Sequence, residues 1–164
     1  MVKRSVFAMS VVLSALVVAC GSPFESAGAT PTPSPPPTPT PTPALVVQAA
    51  TAAVAGKSET ILTNSKGFTL YSYTPDKGAG KVTCVAACLQ AWPPLLLLPG
   101  SQPLGGPGVT GTLGTIASPN GGFQVTYNGC PLYTWTKDTA PGMTTGQNVG
   151  KKWFVVTPAV LPPG

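Results

Sequence analysis

Tyr71-Ser72-Tyr73-Thr74-Pro75-Asp76 and Tyr133-Thr134-Trp135-Thr136-Lys137-Asp138 decide how this chain folds. Each has an aromatic, a spacer, a second aromatic and, three residues on, an acid. The two lie 62 residues apart, and the same shift superposes Gly67 on Gly129, Leu70 on Leu132 and Thr74 on Thr136. A shift of 61 puts Trp92 on Trp153. Two copies are too few for a solenoid, which needs about three or more. The repeat therefore predicts one domain with a pseudo-two-fold axis and a shared core, its motifs near 67–98 and 129–158.

The sequence around the motifs reads as β. Glu59-Thr60-Ile61-Leu62 and Gly67 to Tyr73 are rich in β-branched and aromatic residues, with Asn64-Ser65-Lys66-Gly67 as the turn between them. Asn128-Gly129 joins Phe123–Tyr127 to Pro131–Trp135, and Asn-Gly is among the strongest hairpin signals. Trp153 to Thr157 predicts a last strand. The expected fold class is mainly β: a single small domain of two pseudo-symmetric repeats of β-hairpins with one short α-helix. Strand alternation puts Tyr71 and Tyr73 on one face, and likewise Tyr133 and Trp135.

The helix is expected from Cys84 to Trp92, with Thr83 as its N-cap and Pro93-Pro94 ending it. Val85, Cys88, Leu89 and Trp92 fall at the spacing of a buried stripe. Cys84 and Cys88 are neighbours on such a surface, and in an oxidising compartment a disulfide between them is the favoured reading. The alternative gathers Cys84, Cys88 and Cys130 around a soft metal such as Cu(I), with Met143 as helper. Cys-x3-Cys is not the Cys-x-x-Cys of thiol oxidoreductases. Pro99 to Gly111 holds five Gly and three Pro without a phosphate-binding pattern, and reads as the connector between halves.

These residues resemble the bacterial secreted-repeat lipoproteins named for the motif Y-x-[FWY]-x-x-D. The likeness extends to the Cys-containing helix before Trp92-Pro93-Pro94, to Gln124 to Gly129, and to the Pro141-Gly142, Gly146-Gln147 and Trp153 segments. It implies an architecture and an envelope location, and no reaction, since that family has no established function. Such relatives commonly carry His or Trp where this chain reads Gly129-Cys130-Pro131, so any role of a His there is lost or changed.

The N-terminus agrees with that location. Residues 1–19 pair a basic start, Lys3-Arg4, with an apolar run too short to span a bilayer, the pattern of a signal peptide. Val17-Val18-Ala19-Cys20-Gly21 resembles a lipobox, which makes Cys20 the lipidated residue and the membrane a partner through that anchor. Diacylation supplies more than one acyl chain, enough for stable attachment. The rest of 20–43 is rich in Pro and Thr, and its last fourteen residues, extended as polyproline II, reach roughly 40 Å. The domain is expected over 44–164.

Composition narrows the chemistry. There is no His among the 164 residues, which excludes Ser-His-Asp and Cys-His catalysis and His-ligated metals. Past the leader, seven Lys stand against four acids, a net charge of +3 without clustering or Arg. Nucleic acid is therefore not an expected partner. Asp76 and Asp138 read as turn residues that accept hydrogen bonds from backbone N–H groups or a Tyr hydroxyl. As a carboxylate pair brought to one axis, they could instead serve a small hydrolase. The leading expectation is a non-catalytic cell-envelope lipoprotein, extracytoplasmic and without cofactor, that binds an unknown protein or small molecule or plays a structural role. The alternatives are a thiol-based redox or Cu(I)-handling protein using Cys84, Cys88 and Cys130, and the hydrolase.

Overall fold

A computed structural model describes residues 42–78 and 80–159. The expected signal peptide, the expected lipidation site Cys20 and the Pro/Thr-rich sequence through residue 41 lie outside the described residues. Among the described residues nine strands occur in chain order: β1 (Thr42–Val54), β2 (Lys57–Asn64), β3 (Tyr71–Tyr73), β4 (Leu96–Leu97), β5 (Ser101–Gly105), β6 (Leu113–Ala117), β7 (Phe123–Tyr127), β8 (Cys130–Pro131) and β9 (Trp153–Val155). One α-helix, α1 (Ala87–Ala91), lies between β3 and β4. The described residues are mainly β, with two repeats and one short helix among them.

Each repeat opens with an antiparallel hairpin. In the first, β1 and β2 pair from Val47↔Asn64 to Val54↔Lys57. In the second, β6 and β7 pair from Leu113↔Tyr127 to Ala117↔Phe123. The expected turns are in place. Asn64 Oδ1 accepts from the N–H groups of Lys66 and Phe68 at 2.9 and 3.0 Å. Asn128 and Gly129 sit at φ +48° and +82°, the pair of positive φ values that a two-residue hairpin loop demands.

The repeats are completed by exchange. The segment after each motif crosses to the other repeat. Val156 N–H donates to Leu70 O while Leu62 N–H donates to Val156 O, at 2.9 and 2.8 Å. In mirrored fashion Leu95 N–H donates to Leu132 O and Val125 N–H to Leu95 O, at 2.9 and 2.8 Å. β9 accordingly pairs with β3, and β4 with β7. At the centre Tyr71 and Tyr133 exchange both backbone hydrogen bonds, at 2.8 and 2.9 Å. The pseudo-two-fold axis passes between them.

Two apolar clusters result, and both draw on both repeats. Leu70 and Leu132 meet Leu62, Val125 and Val156 in one, whereas Tyr71 and Tyr133 meet Trp92, Trp153 and Ile61 in the other. Adjacent residues of a strand point to opposite faces, so each Leu-Tyr pair contributes one side chain to each cluster.

Several local expectations change. The helix runs over Ala87–Ala91 rather than from Cys84, and its N-cap is Ala86 at φ +51°. Thr83 caps nothing, because its hydroxyl and N–H are taken by Asp76. Val85 is half exposed instead of joining the buried stripe, while Leu89 and Trp92 are buried. The Gly- and Pro-rich stretch is more than a connector: it contains β5, which pairs parallel with the start of β1. That pairing takes Thr42 and Pro43 into β1, so the domain begins before residue 44.

Candidate functional site

Asp76 follows β3 in a single 3-10 turn, Thr74–Asp76, that Pro75 pre-organises by fixing φ. Its carboxylate is 2% exposed. Oδ1 accepts from the N–H and the hydroxyl of Thr83, at 2.7 and 2.5 Å. Oδ2 accepts from the Tyr133 hydroxyl at 2.5 Å. Asp138 repeats this arrangement. Its Oδ1 accepts from the N–H and hydroxyl of Thr145, at 3.0 and 2.6 Å, and its Oδ2 from the Tyr71 hydroxyl at 2.6 Å. Thr83 and Thr145 are themselves 62 residues apart. The repeat signal held them, although seven residues separate each from its Asp, and the sequence marks Thr83 only as a helix cap and Thr145 not at all.

The bonds cross between repeats: the tyrosine of each motif binds the aspartate of the other. The expected bond to a Tyr hydroxyl is present, and the axis between Tyr71 and Tyr133 decides which Tyr each Asp meets. The Tyr71 hydroxyl also accepts from the Gly146 N–H at 3.2 Å. A Cβ at Gly146 would stand 2.7 Å from the Tyr71 ring, which is why this position has no side chain.

The second aromatics of the motifs form the ends of a ring stack. Tyr73 stacks on Trp153 at a centroid distance of 4.4 Å, Trp153 on Trp92 at 3.8 Å, and Trp92 on Trp135 at 3.9 Å. The inner pair is nearly parallel, 3° apart. Tyr71 meets Trp92 edge-on at 5.4 Å, and Tyr133 meets Trp153 edge-on at 5.1 Å, geometries that the ring quadrupoles favour. The inner Trp residues are buried and the outer Tyr73 and Trp135 half-buried. Lys137 Nζ lies 5.6 Å from the Trp135 centroid.

Burial pushes both central phenols well above their ordinary value near 10, and the hydrogen bond to a carboxylate pushes the same way. Above pH 10 the unfolded chain therefore releases these protons while the folded chain keeps them. Stability is full below pH 10 and falls as pH rises beyond it, by up to about 1.4 kcal/mol per pH unit for each phenol. Urea midpoints measured on either side of pH 10 should drop in the alkaline window. A Tyr71→Phe/Tyr133→Phe variant should lose that part of the drop, and an equal drop in both proteins would contradict it.

Cys84 and Cys88 form a disulfide with their Cα atoms 5.4 Å apart. With the bridge formed, Cys84 and Cys88 offer no thiolates to a metal, so the three sulfurs do not form the expected three-thiolate set. Cys130 is a buried free thiol, and burial raises it above its ordinary range. Among the described residues no three His, Cys, Asp or Glu side chains gather in a way that could hold a metal ion. Both carboxylates are buried, and in each Oδ1 accepts two hydrogen bonds and Oδ2 one. A shallow depression of about 200 Å³, between Leu97, Gln102, Thr115 and Phe123, includes no motif residue.

Two segments, 52–96 and 114–157, match one family, described as a secreted repeat of unknown function. They are the two halves that the backbone exchange interlocks, and together they span more than half of the chain. The chain belongs to this family. As a secreted repeat it is extracytoplasmic, and no helix among the described residues is long and apolar enough to cross a membrane. Searches of the curated proteins and of the solved structures returned no match.

Proposed function

We propose that this secreted repeat is a cell-envelope lipoprotein, anchored through Cys20 and held off the membrane by the Pro/Thr-rich segment. Its duplicated domain is a non-catalytic binding or structural module. The observation that carries the reading is the saturation of Asp76 and Asp138. Each is buried, each accepts three hydrogen bonds from its own fold, and each joins one repeat to the other. Catalytic carboxylates work from an accessible oxygen in a cleft, whereas these two are buried and tied to their own fold through both oxygens. The Tyr-x-aromatic-x-x-Asp signature is then a folding signature, and recognition falls to the surface.

The anchor is tested in the intact bacterium by metabolic labelling with an alkyne fatty acid. The chain should take up label and partition with membranes, and Cys20→Ser should abolish both. Label retained in Cys20→Ser, or a chain released into the medium with Cys20 intact, would sink the anchored reading.

A further inference from the structure

The four stacked rings have a property that packing alone does not use. They are in continuous van der Waals contact from one half-buried end, Tyr73, to the other, Trp135. Two further tyrosines touch the inner pair edge-on. Electron exchange between π-systems falls steeply with distance, and rings in contact exchange electrons fastest. A tyrosine gives up an electron readily only when its phenolic proton has somewhere to go. Tyr71 and Tyr133 each donate that proton to a carboxylate oxygen already in place, at 2.6 and 2.5 Å. Tyr127, in the other cluster, donates to the Pro158 carbonyl, which is no comparable base.

Charge gives the array a direction. Lys137 beside Trp135 disfavours a positive hole at the outer ring, whereas the carboxylates of Asp138 and Asp76 favour one at the inner tyrosines. The carboxylates act in a buried, weakly screened site, where charge interactions are strong, whereas the exposed Lys137 acts through solvent and more weakly.

We propose that the Tyr73–Trp153–Trp92–Trp135 stack, with the Tyr71–Asp138 and Tyr133–Asp76 pairs at its centre, is a one-electron relay. It draws oxidising equivalents inward from the surface and holds them on a buried tyrosine. The oxidant is a small one-electron radical of the extracytoplasmic space, which is reduced to its anion. Trp135 or Tyr73 gives up the first electron and Trp92 or Trp153 refills it. Tyr71 then passes an electron to Trp92 as its proton moves to Asp138 Oδ2. The net change is radical plus Tyr71 phenol plus Asp138 carboxylate, giving anion plus Tyr71 phenoxyl radical plus Asp138 carboxylic acid. The same balance holds for Tyr133, Trp153 and Asp76. This activity extends the proposed module, and it stands or falls apart from the lipid anchor.

Pulse radiolysis with the azidyl radical, which takes one electron to become azide, tests it on the full chain. A tryptophan radical should appear first and convert to a tyrosyl radical in a first-order step whose rate does not depend on protein concentration. The chain has four Tyr, so Tyr73→Phe/Tyr127→Phe leaves only the two carboxylate-bonded ones. That variant, its fold checked by near-ultraviolet circular dichroism, should keep the conversion. Tyr71→Phe/Tyr133→Phe should lose the long-lived tyrosyl signal. A tryptophan radical that decays without a tyrosyl radical in Tyr73→Phe/Tyr127→Phe overturns the proposal. Should that variant not fold, the same decay in the unsubstituted chain overturns it as well.

Discussion

Asp76→Ala and Asp138→Ala should each cost the domain about 3–5 kcal/mol, out of the roughly 5–15 kcal/mol that holds a domain of this size folded. The substitution removes three hydrogen bonds to a charged acceptor, each of about 1.5–3 kcal/mol and not additive within one carboxylate. It also leaves a buried tyrosine hydroxyl without the acceptor for its proton, and takes the carboxylate partner from a threonine N–H and hydroxyl. Because the tyrosine comes from the other repeat, the damage spreads across the axis. Asp76→Ala should loosen the packing around Tyr133 and Trp153, and Asp138→Ala that around Tyr71 and Trp92. Urea unfolding followed by tryptophan fluorescence measures the loss, and a double-mutant cycle of Asp76→Ala with Tyr133→Phe isolates the shared bond. Once the carboxylate is gone, Tyr133→Phe should cost much less than it does in the intact domain. A loss below about 1 kcal/mol for both alanine variants would mean that the buried network does not hold the fold.

Separating the repeats should have a larger effect still. Chains covering 42–98 and 112–159 should each be unfolded alone and should fold together as a one-to-one complex. Each fragment of roughly 50 residues would keep its hairpin, but would lose the strand that completes its sheet and half of both apolar clusters. The exchanged bonds at Val156 and Leu95, the crossed Tyr–Asp pairs and the stacked Trp92 and Trp153 all come from opposite halves. Near-ultraviolet circular dichroism should be flat for either fragment and recover on mixing. A single fragment with a cooperative thermal transition would refute the interlocked reading.

The repeat and its axis were legible in the sequence because the aromatics and acids recur at a fixed spacing. The hairpin turns were legible because Asn-Gly and Asn-x-x-Gly favour a specific backbone geometry. Most of β1 was not, since Ala49 to Ala55 is nearly all alanine and small residues carry little strand signal. Its partner β2 and the parallel pairing with β5 decide it instead. The helix start was misplaced because Thr83 is a good cap in isolation, but its hydroxyl and N–H go to a carboxylate seven residues earlier. The crossed partners could not be read from spacing at all. A tyrosine five residues before an aspartate gives no sign that the bond runs to the other copy.

An axis of this kind is what a two-fold homodimer leaves behind once its two copies are joined into one chain. In a true homodimer every substitution is made twice, so a change that helps only one side cannot be kept. Fusion lifts that restriction. Here Cys84 has Gly146 as its counterpart at the 62-residue shift, and Lys137 has Pro75. One half has gained a covalent staple where the other must leave room for the Tyr71 ring, and one end of the ring stack has gained a cation. The two ends of the molecule are therefore no longer equivalent, and a partner can tell them apart.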